Sequence, residues 1–461
     1  MSTSTIQRKE ILGHPTGLFI LFFTEMWERF SYYGMRAILT LYMYTSVADD
    51  NPGLGWEEGF ALSIYGWYTM AVYVMSIPGG ILADRWLGQK KTVMLGGLLL
   101  CLGHGVLAID ATWAFTAGLV LIVLGVGGLK PNISTMVGGL YEQGDVRRDK
   151  GFTIFYIGIN VGAFLASLVV GGVGEIYGWH YGFGLAGIGM VLGQLVFMLG
   201  QKHLKGVGES LKDRKAGGEN VDAPLTKIEK DRMAVLFLSF LIIIVFWGAF
   251  EQAGGLMNIY TNEKVDRLLG NWEVPTSWFQ SLNPFFIITL GTLVAGFWAA
   301  RHLKGKEAST LLKMAVGTII MGLGFLLMSG ASLQAEEAGK AGMYWLFGAY
   351  LLHTIGELCA SPTALSFITK LAPAKYASLM MGAYFAATGF GNKVAGLVGE
   401  SAEGAGELQV FTGIFIFTAI FGTLLLVFLK KLKALTHGAE DLKKTEHHDE
   451  AEGFELADKE A

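Results

Sequence analysis

Charged residues are scarce in this chain of 461 residues. Asp, Glu, Lys and Arg together make up 16% of it, whereas apolar residues make up 52% and the mean hydropathy is +0.46. Soluble domains carry about a quarter of their residues as charges. The composition therefore argues against a water-soluble protein and favours an all-α protein that crosses a membrane many times.

Cysteine is nearly absent, with only Cys101 and Cys359, and both lie in apolar segments. Their number and spacing exclude a disulfide framework and a zinc site. The net charge of −4 gives no reason to expect a nucleic-acid partner. No Ser–His, metal-ligand or phosphate-loop arrangement is evident, so neither an enzyme nor a cofactor is expected. The glycines of "GGVGEIYG" (171–178) are interpreted as helix-packing residues.

Twelve apolar segments are long enough to span a bilayer as helices. Their predicted bounds are 15–46, 60–83, 92–110, 113–140, 152–173, 178–200, 233–260, 278–300, 311–330, 343–370, 376–398 and 410–430. Basic residues concentrate on one side if the N-terminus is cytoplasmic, because eleven lysines and arginines then fall in inner loops and three in outer loops. Twelve spans return the C-terminus to the cytoplasm as well.

A charged segment, residues 201–231, divides the spans into two sets of six. We therefore expect a first helical bundle at 1–200, a cytoplasmic linker at 201–231 and a second bundle at 232–435. Residues 436–461 are rich in charge and are expected to form a disordered cytoplasmic tail. Two six-span halves around a central linker are typical of secondary transporters, which bind substrate between the halves near the membrane midplane.

The first span carries charges where hydrocarbon is expected. On a helical projection the polar residues of this span fall within one arc of about 140°: Glu25, Glu28, Arg29, Tyr32, Tyr33 and Arg36. This face must therefore contact protein or water, because intramembrane charges are costly. One interpretation is functional. The alternative is a structural ion pair between Glu25 and Arg29, which are four residues apart.

Four charges of the two halves match in depth along their helices. Arg36 and Glu251 each lie about ten residues from the predicted outer ends of their spans, and Lys130 and Glu357 lie deeper, at about 17 and 14 residues. Each pair has one member in each half, which predicts two salt bridges that form and break as the halves move. Static bridges that only hold the halves together are the alternative. Lys393, near an outer end, is interpreted as a snorkelling side chain.

Polar and aromatic side chains accompany these charges. Asn160 and Asn283 are the stronger candidates for a site, because an amide in hydrocarbon must find hydrogen-bond partners. His104 and His353 have no charged neighbours in sequence and are interpreted as packing residues. The further candidates are aromatic, and each is more often a packing residue than a ligand contact: Tyr73, Tyr156, Trp247, Phe250 and Tyr384.

Several segments resemble one family of transporters. "EMWERFSYYG" (25–34) is similar to the signature of the proton-dependent oligopeptide transporter (POT) family within the major facilitator superfamily. "GGILADRWLGQKK" (79–91) resembles the superfamily's loop after the second span, and "GFTIFYIGINVGAF" (151–164) resembles the family's second signature. Four further stretches agree in order: "GGLKPNISTMVG", "VFWGAFEQAGG", "WFQSLNP" and "GELCASPTALSFITKLAP".

The resemblance implies a major facilitator fold and proton-driven import of di- and tripeptides. It implies that Glu25, Glu28, Arg29 and Glu251 couple proton movement to transport. Arg36 and Lys130 would bind the peptide carboxylate, and Glu357 the peptide ammonium. Asp84 and Arg85 would form a cytoplasmic latch. The remaining substrate-binding residues would be Tyr32, Tyr73, Tyr156, Asn160, Trp247, Phe250, Asn283, Ser361 and Tyr384.

Two features depart from the wider family. The linker 201–231 is too short for the two extra helices of many bacterial members, so twelve spans are expected. The second span lacks the histidine of animal relatives, which shifts the expected proton sites to glutamates. A monomer in the inner (plasma) membrane is expected. Two alternatives stay open: the same fold carrying nitrate or a nucleoside, and a membrane receptor or channel.

Overall fold

The computed structural model describes residues 9–141, 145, 147–208, 225–373 and 377–439. Within these ranges the chain forms twelve long helical spans, as predicted. The spans, numbered 1 to 12 in order, are Thr16–Tyr44, Glu58–Leu87, Gln89–Leu107, Thr112–Gly138, Lys150–Tyr177, Trp179–Leu204, Lys227–Lys264, Thr276–Leu303, Thr310–Ala338, Tyr344–Leu371, Ala377–Glu400 and Glu407–Ala434. The predicted bounds differ by up to eight residues, in span 9, which was expected to end at 330.

Nine of the spans are long and apolar enough to cross a membrane by composition alone, within the described residues. Span 1 is not among them because of its charges. Every window of 18 residues in Thr16–Tyr44 contains at least three of Glu25, Glu28, Arg29 and Arg36. A helix with this composition can lie in a bilayer only if its polar face is covered by other helices or by water.

Four spans are interrupted rather than continuous. Span 2 breaks after Val74, resumes at Ser76–Leu82, and ends in a π turn at Ala83–Leu87. The resumed helix contains Pro78, which has no backbone N–H to donate to the carbonyl four residues earlier. Span 5 contains a π turn at Ser167–Gly171. Spans 7 and 8 contain 3₁₀ turns, at Glu251–Ala253 and Thr276–Ser281. Such turns free backbone groups and often mark functional positions.

Two separate hydrophobic cores organise the spans. One contains buried residues from spans 1 to 6, and the other contains buried residues from spans 7 to 12 together with Leu62 of span 2. We call these sets of spans the first and second bundle. Residues 201–204 extend span 6 as a 3₁₀ turn, and span 7 already begins at Lys227, so helix enters both ends of the expected linker. Most of the expected tail, 440–461, lies outside the described residues.

The short strands lie outside the spans, one hairpin before span 1 and the others in connections between spans. Glu10–Ile11 pairs with His14–Pro15, and Leu268–Leu269 pairs with Trp272–Glu273, both antiparallel. Val265–Asp266 pairs in parallel with Ala341–Gly342. We call the end of the molecule where span 1 finishes the Tyr44 end, and the end where span 2 finishes the Gly88 end.

The bundles contact each other along two pairs of spans. Between spans 2 and 11, Gly66 and Gly396 bring the two backbones together: a Cβ added to Gly66 would lie 2.9 Å from the Gly396 Cα. Between spans 5 and 8, the ring centroids of Phe164 and Phe285 are 6.3 Å apart. Glycine at the first contact permits the close approach that small residues give to membrane helices.

At the Gly88 end, a salt bridge fastens span 12 to the start of span 9. Lys433 Nζ lies 2.8 Å from Glu307 Oε2, and the Ser309 backbone N–H donates to Glu307 Oε1 at 2.9 Å. Partial burial disfavours ionisation of this carboxyl, but the hydrogen bonds from Lys433 and Ser309 outweigh that effect and lower the pKa of Glu307 to about 2. Glu307 is therefore a charged partner at every physiological pH.

Candidate functional site

Three charges of span 1 form one compact cluster. Arg29 Nε lies 2.8 Å from Glu25 Oε1 and 2.7 Å from Glu28 Oε2, and each of the three side chains is at least 97% buried. The pairing of Glu25 with Arg29 is the one expected from their spacing. Two carboxylates share one guanidinium, so the cluster carries a net charge of −1 when both are ionised, and binding of a single proton neutralises it.

Arg36, about two turns beyond this cluster on the same helix, binds the opposite bundle. Its Nη1 lies 2.7 Å from Glu251 Oε1, at the 3₁₀ turn of span 7. Tyr65 of span 2 donates its hydroxyl to the same oxygen at 2.5 Å. The Arg36 guanidinium also lies 4.8 Å from the Tyr33 ring centroid. The structure thus brings together the pair expected from depth, and Glu251 joins two spans of the first bundle.

Further hydrogen bonds join the bundles at the Tyr44 end. Thr40 donates to the Gly254 carbonyl at 3.0 Å, and Asn258 donates to the Ala37 carbonyl at 2.9 Å and to Thr40 Oγ1 at 3.1 Å. Gln280 also donates to the Ala37 carbonyl, at 3.3 Å. Together with Arg36 and Glu251, these residues form what we call the interbundle seal. Sequence reasoning missed the uncharged members, although Asn258 and Gln280 are polar residues inside predicted spans.

Lys130 and Glu357, the second expected pair, do not form a salt bridge with each other in the described part of the chain. Lys130 Nζ lies 3.6 Å from the Tyr73 ring centroid, a cation–π contact within the first bundle. Glu357 Oε2 instead accepts a hydrogen bond from Asn283 Nδ2 at 2.7 Å. Asn283 also donates to Thr354 Oγ1 at 3.1 Å. Among the described residues, an ion pair joins the bundles at the Arg36 level, but none joins them at the Lys130 level.

The other predicted substrate-binding residues come from both bundles. Tyr32 is buried on span 1, and Asn160 donates to the backbone carbonyl of Tyr156, whose own side chain is 40% exposed. In the second bundle the rings of Trp247 and Phe250 pack edge to face with centroids 5.1 Å apart. The remaining pair is Ser361 and Tyr384, which hydrogen-bond to each other through their side chains.

The structure describes the surroundings of two further sequence candidates. Lys393 reaches the opposite bundle: its Nζ lies 4.5 Å from the Trp67 ring centroid and 3.5 Å from Ser63 Oγ, both on span 2. A cation–π partner in the opposite bundle was not visible from sequence distance. Asp84 and Arg85, the expected latch, lie exposed in the π turn of span 2, and neither belongs to an ion pair among the described residues.

A polar face of span 1 lies between the two bundles with charges of both signs, and the interbundle seal connects the bundles at the Tyr44 end. A model of the POT family matches residues 90–214 and 221–407, more than half of the chain. The chain belongs to the POT family. The motif resemblance found in the sequence is thereby confirmed.

Relatives of this POT-family chain align over nearly its whole length. The peptide transporter YePEPT of Yersinia enterocolitica is 34% identical over 95% of this chain and 99% of its own. A di-/tripeptide transporter of Lactococcus lactis is 34% identical over 93% of this chain and 97% of its own. A crystal structure of a peptide transporter POT in complex with sulfate superposes with a TM-score of 0.85, at 34% identity, covering 93% and 97% of the two chains.

These similarities confirm the expected architecture of this POT-family member. It is an all-α membrane protein with the major facilitator fold, twelve spans in two six-helix bundles. The relatives are transporters, which move solutes without converting them chemically.

Proposed function

We propose that this chain is a proton-coupled symporter that imports di- and tripeptides by alternating access between the two bundles. The Gly88 end would face the cytoplasm, because the loops there hold most of the lysines and arginines, and both termini would lie on that side. The location would be the inner (plasma) membrane, and a monomer would suffice because each chain contains both halves of the site.

The observation that carries this proposal is the separation of Lys130 from Glu357. They lie in opposite bundles, and no ion pair within the described residues contains either of them. Leaving a buried charge without a partner costs several kcal/mol. A short peptide is a zwitterion: its carboxylate would pair with Lys130 and its ammonium with Glu357. A peptide would thus complete both ion pairs and link the bundles, whereas a neutral solute would complete neither.

The span 1 cluster provides a place for the driving proton. Glu25 and Glu28 share Arg29, and the buried oxygens Glu25 Oε2 and Glu28 Oε1 accept no hydrogen bond in the described structure. A proton on either oxygen would remove the excess negative charge of the cluster. Because Lys130 is the nearby cation of span 4, loss of that negative charge would free it for a peptide carboxylate.

Coupling requires that proton and peptide act on the same conformational equilibrium. Arg36 and Glu251 close the Tyr44 end. Protonation of Glu251, or attraction of Arg36 to a peptide carboxylate, would weaken that bridge and favour opening toward the outside. Once the proton and the peptide are released, re-formation of the Arg36–Glu251 bridge would favour the form that is open toward the cytoplasm. The cycle therefore uses the bridge as a switch, and each ligand needs a different affinity for the two forms.

Uncharged side chains would hold the peptide without selecting one sequence. The amides of Asn160 and Asn283 and the hydroxyls of Tyr32 and Tyr73 would bind the peptide backbone. Apolar walls discriminate weakly between side chains, which suits a transporter of many peptides. Those walls would be formed by Tyr156, Trp247, Phe250 and Tyr384, with Ser361 hydrogen-bonded beside them.

The decisive experiment is uptake of a labelled dipeptide into proteoliposomes with and without an inward proton gradient. We expect accumulation only with the gradient, and its loss in Lys130→Ala. Lys313→Ala is the matched control. Lys313 Nζ also lies over an aromatic ring, 5.7 Å from the centroid of Trp298. It belongs to the second bundle and is not one of the proposed substrate-binding residues. Absence of gradient-driven accumulation in the unsubstituted protein would contradict the proposal.

The same vesicles separate the alternatives. Gradient-driven uptake of nitrate or a nucleoside, unaffected by excess dipeptide, would assign the fold to another solute. Peptide binding without uptake or exchange would indicate a receptor. Unsaturable flux without counterflow would indicate a channel.

A further inference from the structure

A second carboxylate binds across the bundles at the Tyr44 end. Glu175 lies on the last turn of span 5, in the first bundle. Its Oε2 accepts the backbone N–H of Thr276 at 2.7 Å, and its Oε1 accepts the backbone N–H of Ser277 at 2.7 Å. Both donors belong to the 3₁₀ turn that begins span 8 of the second bundle. One side chain therefore contributes two charge-assisted hydrogen bonds between the bundles.

The chemistry of a helix start explains why a carboxylate binds there. The first N–H groups of a helix have no partner within the helix, and the helix dipole favours negative charge at that end. Hydrogen bonds to a charged acceptor contribute more than neutral ones. Thr276 further donates its hydroxyl to Asn262 Oδ1 at 3.0 Å, which ties the same turn to the end of span 7.

Local features of span 5 bring Glu175 within reach. The π turn Ser167–Gly171 lies against span 8, and Trp278 Nε1 donates to the Leu168 carbonyl at 3.0 Å. A Cβ added to Gly172 would lie 2.8 Å from Trp278 Nε1, so a larger residue there would push the spans apart. The glycines of "GGVGEIYG" thus allow the close approach that places Glu175 on the two backbone N–H groups.

The position of Glu175 makes its contact sensitive to bundle movement. It lies eleven residues beyond Phe164, which packs against Phe285 of the second bundle. Eleven helical residues extend about 16 Å. A rotation of about 3° around the Phe164–Phe285 contact would lengthen hydrogen bonds at that distance by about 0.8 Å, beyond hydrogen-bonding range. The contact therefore cannot persist when the Tyr44 end opens.

We propose that Glu175 is a second gate residue, which holds the Tyr44 end closed through the start of span 8. Its partners are backbone N–H groups, which do not titrate, and Glu175 is not one of the proposed proton-coupling or substrate-binding residues. Glu175 therefore sets the balance between open and closed forms, whereas the Arg36–Glu251 bridge responds to the ligands. This division of roles rests on the proposed transport function, but the gating itself can be measured without transport.

The test measures the opening of the Tyr44 end directly. Spin labels are attached to cysteines replacing Val47, in the first bundle's loop, and Leu269, in the second bundle's hairpin, after Cys101→Ala and Cys359→Ala. Both label positions are exposed, at 70% and 58%. Distances between the two labels are measured by pulsed electron paramagnetic resonance on the otherwise unchanged full-length protein in lipid nanodiscs.

We expect Glu175→Ala to raise the ratio of the long-distance to the short-distance population about tenfold, and Glu175→Gln to raise it less, because the amide oxygen still accepts one N–H. Asp110→Asn is the matched control: it removes a carboxylate from the same end, where Asp110 Oδ1 lies 3.2 Å from His180 Nε2 within the first bundle. We expect no shift in this control.

Three outcomes would overturn the proposal. They are an unchanged distance distribution in Glu175→Ala, an equal shift in Asp110→Asn, and a lowered melting temperature without any change in distance, which would indicate a merely structural contact. Failure of the proposed function has a different signature: the unsubstituted protein would not accumulate peptide, while the distance distributions would still respond to Glu175→Ala.

Discussion

Replacing Glu251 by Gln should open the Tyr44 end. The substitution leaves Arg36 without its carboxylate while Tyr65 can still donate to the amide oxygen. The Arg36 and Glu251 side chains are only 12% and 4% exposed, so water cannot readily compensate the guanidinium. Removing one partner of a buried pair costs about 3–5 kcal/mol. A loss of about 3 kcal/mol, the lower end of this range, should reduce the ratio of the closed to the open population roughly a hundredfold.

The labels at Val47 and Leu269 measure this shift, and a double-mutant cycle isolates the pair. Arg36→Gln combined with Glu251→Gln removes both charges, so neither is left buried alone. We expect the double variant to be less open than Glu251→Gln, because the unpaired guanidinium causes most of the loss. Peptide exchange without a gradient should survive in Glu251→Gln better than gradient-driven accumulation does.

The reasoning fails if Glu251→Gln leaves the distance distribution unchanged. It also fails if the effects of Arg36→Gln and Glu251→Gln simply add, because additivity indicates that the two side chains do not act through each other. In either case the 2.7 Å contact would be present without holding the bundles together.

Three further predictions concern separate parts of the molecule. Glu357→Ala should weaken binding at least tenfold for a dipeptide with a free amine and little for its N-acetylated form, as measured by competition in exchange assays; equal losses would contradict an ammonium-binding role. Glu307→Gln should lower the melting temperature in detergent at pH 7. Because the folded-state pKa of Glu307 is lowered, its contribution is present above about pH 4.5 and is lost toward pH 2, so the difference between the proteins should shrink as the pH falls through that window. A pH-independent difference would refute this attribution. Gly66→Ala should destabilise the contact of spans 2 and 11 by about 1–3 kcal/mol, seen as a lower melting temperature, whereas Gly413→Ala, where an added Cβ meets nothing within 4 Å, should not.

The sequence predicted the spans and the charged pair at the Tyr44 end because both follow from strong constraints. Hydrocarbon thickness sets the length of each apolar segment. A charge within such a segment must find a partner, and equal depth in two halves is a necessary condition for a salt bridge. Depth arithmetic therefore identified Arg36 and Glu251, which the structure places 2.7 Å apart.

The same arithmetic was not sufficient for Lys130 and Glu357. Depth gives a coordinate along the membrane normal but not the lateral separation of two helices, which changes with the conformation of a transporter. Lys130 also has an aromatic alternative in Tyr73, and a lysine has no fixed preference for a carboxylate over a ring face. The cation–π contact of Lys393 escaped prediction for this reason too.

The contacts of Glu175, Asn258 and Thr40 could not have been found from sequence patterns. Most of their partners are backbone carbonyls and N–H groups, which are common to nearly all residues and which no motif reveals. The π turn of span 5 likewise has no clear sequence signal, although the glycines that follow it were noticed. Predicting these contacts requires knowing which two helices meet and at which turn.

The glycine contact of spans 2 and 11 has a mechanical meaning. Because Gly66 and Gly396 present backbone to backbone, no side chains interlock at this point. Two smooth surfaces can roll over one another without first being pulled apart. Such a joint lets the two bundles tilt relative to each other at little energetic cost. The polar contacts at the two ends of the molecule then determine which conformation is favoured.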